Sequence, residues 1–450
     1  MAVYDIHTGD DLYARLSMLQ AGDTVTVHAG TYTTPGFLEV TWPGTAGAPI
    51  VIQAATGEHV ILQGQSNQNV INIKGDYWTL DGFEITGGSH GLRLEQVSNA
   101  TISNNTIHGL GDVGISCNFE MNCDALVIRH NEIYDTGHDG TGEGMYLGCN
   151  DGSCTLTNSL VVNNYVHDIG GSQGDGIEIK MNSWGNTVVD NVIVRPNYPG
   201  ITMYGFTGTH PFNIVERNLV WHAKTDNGIQ VAGQIVVRNN LVLDAATNGI
   251  QSKATAGITT SDVTIEYNTI VGAATCIKTN DWAAGDHQII ANNANAQCAT
   301  EIDVNGGAGA DLVEYMNGLT QLSAFEADND FYPRMGSPLV GTANPAVTVA
   351  DDFNGFARFD GMPDTGAYER GITGSNPGWM IQEGFKNSAS ASSDTVRLYD
   401  DIPLPTDSNN SSGGCCDAGG AKSNGILALA VAALLTSSGR RSSSRRRRPA

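Results

Sequence analysis

A short segment of the chain, GDGIEIKMN at residues 174–182, carries two carboxylates and an amine within six positions. Glu178 and Lys180 lie two residues apart, as side chains on one face of a β-strand do, and Asp175 comes just before them. The residues that alternate with them are apolar: Ile177, Ile179 and Met181. This alternation predicts a half-buried strand with its ionisable groups on the solvent face. Carboxylates beside an amine can bind a hard cation or transfer protons.

The segment belongs to a repeat that fills the middle of the chain. Strand-like hexapeptides such as ISNNTI, IRHNEI and VVNNYV carry asparagine in the fourth place, at steps of 22 to 33 residues. These asparagines are Asn105, Asn131, Asn164, Asn191, Asn218, Asn240 and Asn268. A second short strand that opens with glycine follows most of them. Such a repeat predicts the coils of a parallel β-helix, in which the asparagines hydrogen-bond from coil to coil.

We therefore predict an all-β fold, a right-handed parallel β-helix with an N-terminal cap, over residues 1–300. The amphipathic segment 10–19 is the candidate cap. Residues 301–370 are predicted to form a small C-terminal module that closes the helix. Residues 371–414 are rich in Ser, Asn, Asp and Pro and lack periodicity, which predicts a flexible linker.

Aligning the second strands on their glycines stacks the ionisable residues into columns. The column of Glu178 contains Arg93, Ser116, Tyr146, Glu178, Thr202, Gln230 and Gln251. The column of Lys180 contains Glu95, Asn118, Gly148, Lys180, Tyr204, Ala232 and Lys253. The column of Asp175 contains His90, Val113, Glu143, Asp175, Pro199, Asn227 and Asn248. Ionisable groups gather in three successive coils, about 4.8 Å apart, within reach of one sugar unit.

Two long loops fall beside these three coils. They are DTGHDGTGEG at residues 135–144 and CNDGSC at residues 149–154. Loops at this place are predicted to form the walls of a groove, because solenoids commonly bind ligands on such a face. The alternative is a plain solvated face with an incidental Glu178–Lys180 pair, which would contribute little.

The formal net charge of −24 makes general nucleic-acid binding a poor hypothesis, and a polyanion would be repelled unless a cation intervenes. Six of the eight cysteines form pairs that are local in sequence: Cys117 and Cys123, Cys149 and Cys154, Cys276 and Cys298. No spacing matches a zinc site, so disulfides of an exported protein are the preferred interpretation over free thiols. Their connectivity stays open, because the first two pairs could also exchange partners.

The two ends of the chain give different signals. The N-terminus, MAVYDIHTGDD, has no basic or apolar leader segment, so we expect that a signal peptide was trimmed or lies upstream. At residues 415–450, an adjacent Cys415/Cys416 pair precedes an 11-residue apolar run and an arginine cluster. This arrangement resembles the myxobacterial C-terminal surface-sorting signal. The resemblance implies an extracellular protein that is secreted or anchored to the cell envelope; the alternative is a basic tail without function.

Residues 10–90 include the run LQAGDTVTVHAGTY and, further on, PGTAGAPIVIQAATGEHVILQG. These residues resemble the opening of right-handed β-helix polysaccharide lyases of the alginate lyase and chondroitinase B type. Residues 331–369 look like the terminal module of many exported β-helix proteins. The lyase resemblance implies β-elimination on a uronic-acid polymer such as alginate or pectate. That reaction needs a cation to neutralise the sugar carboxylate, a base to remove the adjacent proton, and an acid for the departing oxygen.

The resemblance also implies roles for individual residues. These lyases place calcium ligands on adjacent coils and a base lysine five residues after a ligand, as Lys180 stands five residues after Asp175. Lys180 would be the base and Tyr204 the acid. Calcium would be bound by Glu143, Asp175 and Glu178. Substrate contacts would come from Tyr146, Glu178, Thr202 and Gln230.

One position departs from those lyases, which have Arg-His where this chain has Met203-Tyr204 in the next coil. The leading hypothesis is an exported carbon–oxygen lyase, a monomer whose partner is an acidic polysaccharide. The loss of the arginine keeps two alternatives open. One is a non-catalytic surface protein for carbohydrate binding or adhesion, and the other is a uronan epimerase that shares the proton abstraction.

Overall fold

The computed structural model describes residues 1–386 apart from 120, 256, 283–286, 306–311, 316–317, 321–324, 328–329, 348, 359–360, 371–378 and 380. All of the described residues belong to one compact unit. The predicted sorting segment, residues 415–450, and most of the predicted linker lie outside them. Within the described part of the chain, no helix has the length and apolar character needed to cross a membrane.

The chain forms short strands and one short helix. In chain order these are β1 Val3–Ile6, α1 Leu12–Leu16, β2 Thr24–Val27, β3 Gly30–Thr33, β4 Glu39–Thr41, β5 Ile50–Ala54, β6 Val60–Gln63, β7 Ile71–Lys74, β8 Trp78–Asp81, β9 Glu84–Thr86, β10 Leu92–Glu95, β11 Thr101–Ser103, β12 Thr106–His108, β13 Ile115–Cys117, β14 Cys123–Asp124, β15 Val127–Arg129, β16 Glu132–Tyr134, β17 Met145–Leu147, β18 Leu156–Thr157, β19 Leu160–Val162, β20 Tyr165–His167, β21 Ile177–Ile179, β22 Thr187–Val189, β23 Val192–Val194, β24 Ile201–Tyr204, β25 Asn213–Glu216, β26 Leu219–Trp221, β27 Ile229–Ala232, β28 Ile235–Arg238, β29 Leu241–Leu243, β30 Asn248–Ser252, β31 Val263–Glu266, β32 Thr269–Val271, β33 Thr275–Thr279, β34 Gln288–Ala291, β35 Ala294–Ala296, β36 Thr300–Val304, β37 Leu312–Tyr315, β38 Gly318–Thr320, β39 Phe325–Ala327 and β40 Asp330–Pro333.

Three long parallel sheets run the length of the molecule. Sheet 1 has the order β1-β2-β5-β8-β11-β15-β19-β22-β25-β28-β31-β34-β37. Sheet 2 runs β4-β7-β10-β13-β17-β21-β24-β27-β30-β33-β36, and sheet 3 runs β3-β6-β9-β12-β16-β20-β23-β26-β29-β32-β35-β38. Each full coil gives one strand to each sheet, which confirms the predicted parallel β-helix. Parallel pairing continues through β38, past the predicted end near residue 300.

The interior of the helix is an apolar core built from the inward side chains of all three sheets. At the N-terminal end, Leu12, Tyr13 and Leu16 of α1 are buried in the same core. Asp11 caps this helix by accepting a hydrogen bond from Ala14 N at 2.9 Å. The indole of Trp42 donates to Leu16 O at 3.1 Å. The middle of the amphipathic segment therefore forms a short helix, which packs into the core at the end where the cap was expected.

The predicted asparagine ladder is present at the bends between sheets 1 and 3. Along it, each Asn Nδ2 donates to the Oδ1 of the asparagine one coil later at 2.9–3.0 Å, from Asn105 through to Asn293. The residue before each ladder asparagine adopts a positive φ, even where it is as large as Arg217 or Tyr267. That conformation costs roughly 1–2 kcal/mol for a residue other than glycine, and the buried hydrogen bonds of the ladder offset this cost. A shorter second ladder links Ser159, Asn186 and Asn213.

All three local cysteine pairs are disulfides: Cys117–Cys123, Cys149–Cys154 and Cys276–Cys298. The local pairing is therefore the one adopted, and the exchange between the first two pairs does not occur. Each of the first two disulfides closes a loop at the end of a sheet 2 strand, β13 or β17.

The C-terminal residues pack along the side of the helix. Phe331, Phe353 and Tyr368 join an apolar cluster with outward side chains of sheet 3, among them Val192 and Leu219. The predicted module thus covers the outer face of sheet 3, a position that the sequence did not indicate.

The prediction of a flexible linker from residue 371 is wrong for residues 379 and 381–386. Trp379 and Ile381 are buried in the cluster on sheet 3. The Lys386 ammonium is also buried and donates to Asp190 Oδ1 at 2.7 Å and to Arg217 O at 2.9 Å. This packing depends on a few apolar side chains within a polar segment. The overall composition of residues 371–414 did not indicate it.

Candidate active site

The register of sheet 2 reproduces the predicted column of Glu178. Glu178 on β21 pairs with Tyr146 on β17 and with Thr202 on β24. The column continues on one side through Ser116 to Arg93 and on the other through Gln230 to Gln251. Because the neighbouring residues Ile177 and Ile179 belong to the core, Glu178 points away from it.

Lys180 follows directly after β21 and continues its hydrogen bonding, with Lys180 N donating to Leu147 O at 2.8 Å. Its ammonium donates to Glu178 Oε1 and, at 3.4 Å, to Asn150 Oδ1. The ammonium nitrogen lies 4.5 Å from the ring centroid of Tyr146 and 5.9 Å from that of Tyr204. The amine is thus held between two aromatic rings and a carboxylate.

Gly148, in the preceding coil, makes room for this arrangement. Its φ is +98°, and a Cβ added there would lie 3.0 Å from the Cβ of Lys180. A side chain at residue 148 would therefore crowd Lys180 and strain the backbone.

The prediction that these side chains face open solvent is wrong. Glu143, Asp175, Glu178 and Lys180 are between 1% and 5% exposed. Tyr146 and Thr202 flank Glu178 on the neighbouring strands, and the disulfide-closed loop 149–154 brings Asn150 onto Lys180. Side chains of the neighbouring strands and a loop cover this face. The alternation of polar and apolar residues along one strand gives no information about such burial.

Met181 was also expected on the core side of the strand with Ile177 and Ile179, and this is wrong. The strand ends at Ile179. Met181 instead packs outside the main core in a small cluster with Tyr204, Ala232 and Ile258. It thereby packs in the same cluster as the ring of Tyr204.

The three buried carboxyl groups influence one another. Burial and the nearby Glu178 and Asp112 raise the pKa of Glu143 to about 8. Burial and Glu178 raise the pKa of Asp175 well above its usual value, although Thr202 Oγ1 donates a hydrogen bond to Asp175 Oδ1. Burial also raises the pKa of Glu178, against the opposing effect of Lys180. Glu143 consequently holds a proton at neutral pH that an exposed carboxylate would release.

The two tyrosines of the site are proton donors at neutral pH. Burial and the charge of Glu178 raise the pKa of both Tyr146 and Tyr204. Gln230 Nε2 donates a hydrogen bond to the Tyr204 hydroxyl oxygen. Since that oxygen already accepts a hydrogen bond, the Tyr204 proton is left to point at another group.

A chain of amides continues the site toward the C-terminal coils. Asn227 Nδ2 donates to Gln230 Oε1 and to Gln251 Oε1, each at 3.0 Å, and Gln251 Nε2 donates to Asn280 Oδ1 at 3.1 Å. Gln230 was predicted as a substrate contact, and the hydrogen-bonded chain behind it shows that the side chain is fixed in place.

The predicted calcium ligands are arranged differently from a metal site. Calcium takes roughly six to eight oxygen ligands, yet Glu178 is occupied by Lys180 and Asp175 by Thr202. In the described ranges, no three His, Cys, Asp or Glu side chains are grouped to hold a metal ion. Glu143 Oε2 is buried and finds no hydrogen-bond partner among the described residues. As arranged, this donor set does not fit calcium. Calcium binding by these residues stays a prediction from the sequence.

Sequence reasoning missed two residues that shape the site. Asn150 contacts Lys180, and the signal for it was its place inside the short loop between Cys149 and Cys154. Asp112 accepts a hydrogen bond from Gly142 N at 3.0 Å and so fixes the loop next to Glu143. Asp112 also lies 3.4 Å from His90 Nε2, a residue of the predicted columns.

Residues 7–197 match the family model of the Pel9A-like right-handed beta helix region. Pectate lyase PEL9 of Emericella nidulans is 30% identical over an alignment of 95 positions, which covers 18% of this chain and 23% of that protein. The match thus spans about a quarter of the curated relative.

Solved structures support the fold. The crystal structure of pectate lyase Pel9A aligns with 82% of this chain and 97% of its own, at a TM-score of 0.54 and 15% identity. XylC in complex with xylose aligns with 85% of this chain and 99% of its own, at a TM-score of 0.55 and 11% identity. The chain is therefore a right-handed parallel β-helix, as predicted.

Proposed function

We propose that the protein is a polysaccharide lyase that cleaves a uronic-acid polymer of the pectate or alginate type by β-elimination. The observation that carries the proposal is the Lys180 ammonium, held between Tyr146, Tyr204 and Glu178 on sheet 2. Glu143, Tyr146, Asp175, Glu178 and Lys180 lie inside the region that matches the Pel9A-like model, whereas Thr202, Tyr204 and Gln230 lie beyond its end.

Lys180 is the proposed base that removes the proton next to the sugar carboxyl group. It must first give up its own proton, and Glu178 is in place to accept it. Burial raises the pKa of Glu178 and disfavours a charged pair, so transfer from Lys180 to Glu178 costs less here than in water. The neutral amine can then take the substrate proton.

Tyr204 is the proposed acid. When the substrate C–H bond breaks, its electron pair forms the carbon–carbon double bond, and the bond to the departing glycosidic oxygen breaks. That oxygen takes the hydroxyl proton of Tyr204, which the raised pKa keeps in place at neutral pH. Tyr146, Thr202 and Gln230 are proposed to orient the sugar, and the protonated carboxyl of Glu143 lowers the repulsion of an anionic substrate.

Binding without catalysis is the second candidate. Met203, where the resembled lyases have arginine, is fully buried in the core and supplies no cation. The three disulfides agree with an extracellular location for either function. Anchoring to the cell envelope through residues 415–450 remains a proposal, tested by deleting them and asking whether the protein appears in the medium.

The deciding experiment incubates the purified protein with polygalacturonate, alginate and other polyuronates, with added calcium or with a chelator. A lyase produces an unsaturated sugar, so ultraviolet absorbance rises. An epimerase changes the stereochemistry of the sugar without that rise, and a binding protein retains the polymer and does neither. Absence of any absorbance change on every polymer, in calcium as well as in chelator, would refute the lyase proposal.

A further inference from the structure

Arg93 lies on the same outer face as the proposed active site, nearer the N-terminus. The register of sheet 2 runs from Arg93 through Ser116 and Tyr146 to Glu178. Three strand steps correspond to about 14 Å. Arg93 therefore stands in the column of Glu178, at a distance that several sugar units of a polymer would bridge.

The guanidinium of Arg93 is only partly satisfied. Nη2 donates to Asn118 Oδ1 at 3.2 Å, and Nε is buried without a hydrogen-bond partner in the described part of the chain. No carboxylate of the described residues lies within 4.0 Å of it. Glu95 and Asp112 act on its charge from farther away, and they are paired with Lys74 and His90. A half-buried cation without a directly paired carboxylate is costly, and a ligand carboxylate would relieve that cost.

An aromatic ring stands beside this cation. The Arg93 guanidinium carbon lies 4.8 Å from the centroid of Phe119, and Phe119 is 48% exposed. Phe119 belongs to the loop closed by the Cys117–Cys123 disulfide, so the ring is tethered. A uronate offers a carboxylate for a bidentate guanidinium and an apolar C–H face for an aromatic ring, and the pair matches both features.

We propose that Arg93 and Phe119 form a remote subsite that binds one uronate unit of the polymer while another unit lies at Lys180. The inference rests on the proposed function and extends it: the polymer runs across the strands of sheet 2, along the helix axis. Chains long enough to span both places gain affinity from Arg93, whereas short oligomers do not.

The first test measures affinity without turnover. In a Lys180→Met background, binding of polygalacturonate and alginate is titrated by calorimetry, alone and with Arg93→Ala, Arg93→Lys or Phe119→Ala. Arg93→Ala is expected to weaken polymer binding about 10-fold to 30-fold, and Arg93→Lys to restore part of it. Uronate trimers and methyl-esterified polygalacturonate should bind equally well to the Lys180→Met protein with and without Arg93→Ala. Arg129→Ala, an exposed cation on sheet 1, is the matched control and should change nothing.

The second test measures turnover in the otherwise unchanged protein. Arg93→Ala should raise KM for polymer by a similar factor, leave kcat unchanged and leave turnover of trimers unchanged. Equal polymer affinity with and without Arg93 would overturn the subsite while the absorbance assay still supports the lyase. If the unsubstituted protein neither cleaves nor binds any polyuronate, the proposed function fails and the subsite with it. Circular dichroism of each variant excludes misfolding as the cause.

Discussion

The asparagine ladder and the cluster around Lys180 both bury polar side chains, yet they do so in opposite ways. The ladder repeats one neutral residue in coil after coil, and each amide has a partner above and below it. The cluster occurs once, mixes three carboxyl groups with one amine, and leaves Glu143 Oε2 without a partner among the described residues. Repeated and satisfied polar burial stabilises the fold; unrepeated and incompletely satisfied polar burial marks a site for chemistry.

The largest expected effect is on turnover at the unrepeated cluster. Lys180→Met keeps most of the aliphatic stem and removes the amine, so a proposed base is lost and kcat should fall on the order of 10³-fold. Glu178 loses its partner, so turnover must be compared per folded molecule. The measurement is the initial rate of absorbance increase on the best polyuronate.

Lys74 provides the matched control for Lys180. It stands in the same column and is paired with Glu39 and Glu95, each at 3.0 Å, and its neighbours in the column are Thr41 and Glu95, where Lys180 has Tyr204. Lys74→Met and Lys253→Ala should retain near-normal turnover. If all three variants lose activity alike, the cluster has no special role and the distinction between the two kinds of polar burial breaks down.

The ladder should respond in stability and not in chemistry. Asn191→Ala removes the amide oxygen that accepts hydrogen bonds from Asn164 N and Asn164 Nδ2, both at 2.9 Å. It also removes the Nδ2 group that donates to Asn218 Oδ1 and Val161 O. Leaving these buried groups unpaired should cost about 3 kcal/mol of unfolding free energy. Chemical denaturation measures this loss, and Asn305→Ala, at an exposed asparagine, should cost less than about 0.5 kcal/mol. A loss of kcat per folded molecule in Asn191→Ala would contradict the comparison.

Tyr204→Phe tests the proposed acid while keeping the ring against Met181 and Ala232. Only the hydroxyl is lost, so kcat should fall about 10²-fold with little change in stability. Tyr146→Phe is the comparison, because Tyr146 is proposed to orient the sugar and not to donate the proton. Equal losses in the two variants would count against the assignment of the acid to Tyr204.

The last expected effect is on the pH dependence of stability. The pKa of Glu143 rises from the ordinary 4.5 to about 8 in the folded chain. Between these pH values the folded state binds a proton that the unfolded state has released. The contribution of Glu143 to stability is therefore full below about pH 4.5 and is lost as the pH rises through about 8. Glu143→Gln removes this dependence, which amounts to at most about 5 kcal/mol between pH 4.5 and pH 8.

The measurement for Glu143 is the melting temperature at a series of pH values from 5 to 9. The unsubstituted protein should lose melting temperature faster with rising pH than Glu143→Gln does. Glu39→Gln, at an exposed carboxylate, should run parallel to the unsubstituted protein. If the Glu143→Gln curve is parallel as well, Glu143 is ionised in the folded state.

The repeat explains why the sequence predicted the fold and the columns. Once Asn164 and Asn191 mark the same bend, every residue between them has a fixed place in its coil, so Glu178 had to lie beside Tyr146 and Thr202. Burial could not be predicted in this way, because the cover over Lys180 comes from Asn150 in a loop that interrupts the repeat. The packing of residues 379 and 381–386 likewise depends on contacts with coils nearly 200 residues earlier.

The buried Lys386 also bears on the order in which the molecule is completed. Coils that stack one after another can form as a chain emerges from its N-terminus, since each needs only the coil before it. Asp190 and Arg217 sit in the middle of the helix, but the ammonium that joins Asp190 to the Arg217 carbonyl arrives only with residue 386. The bridge from Lys386 can therefore form only after every coil that it joins has been synthesised, and a chain that ends before residue 386 lacks it.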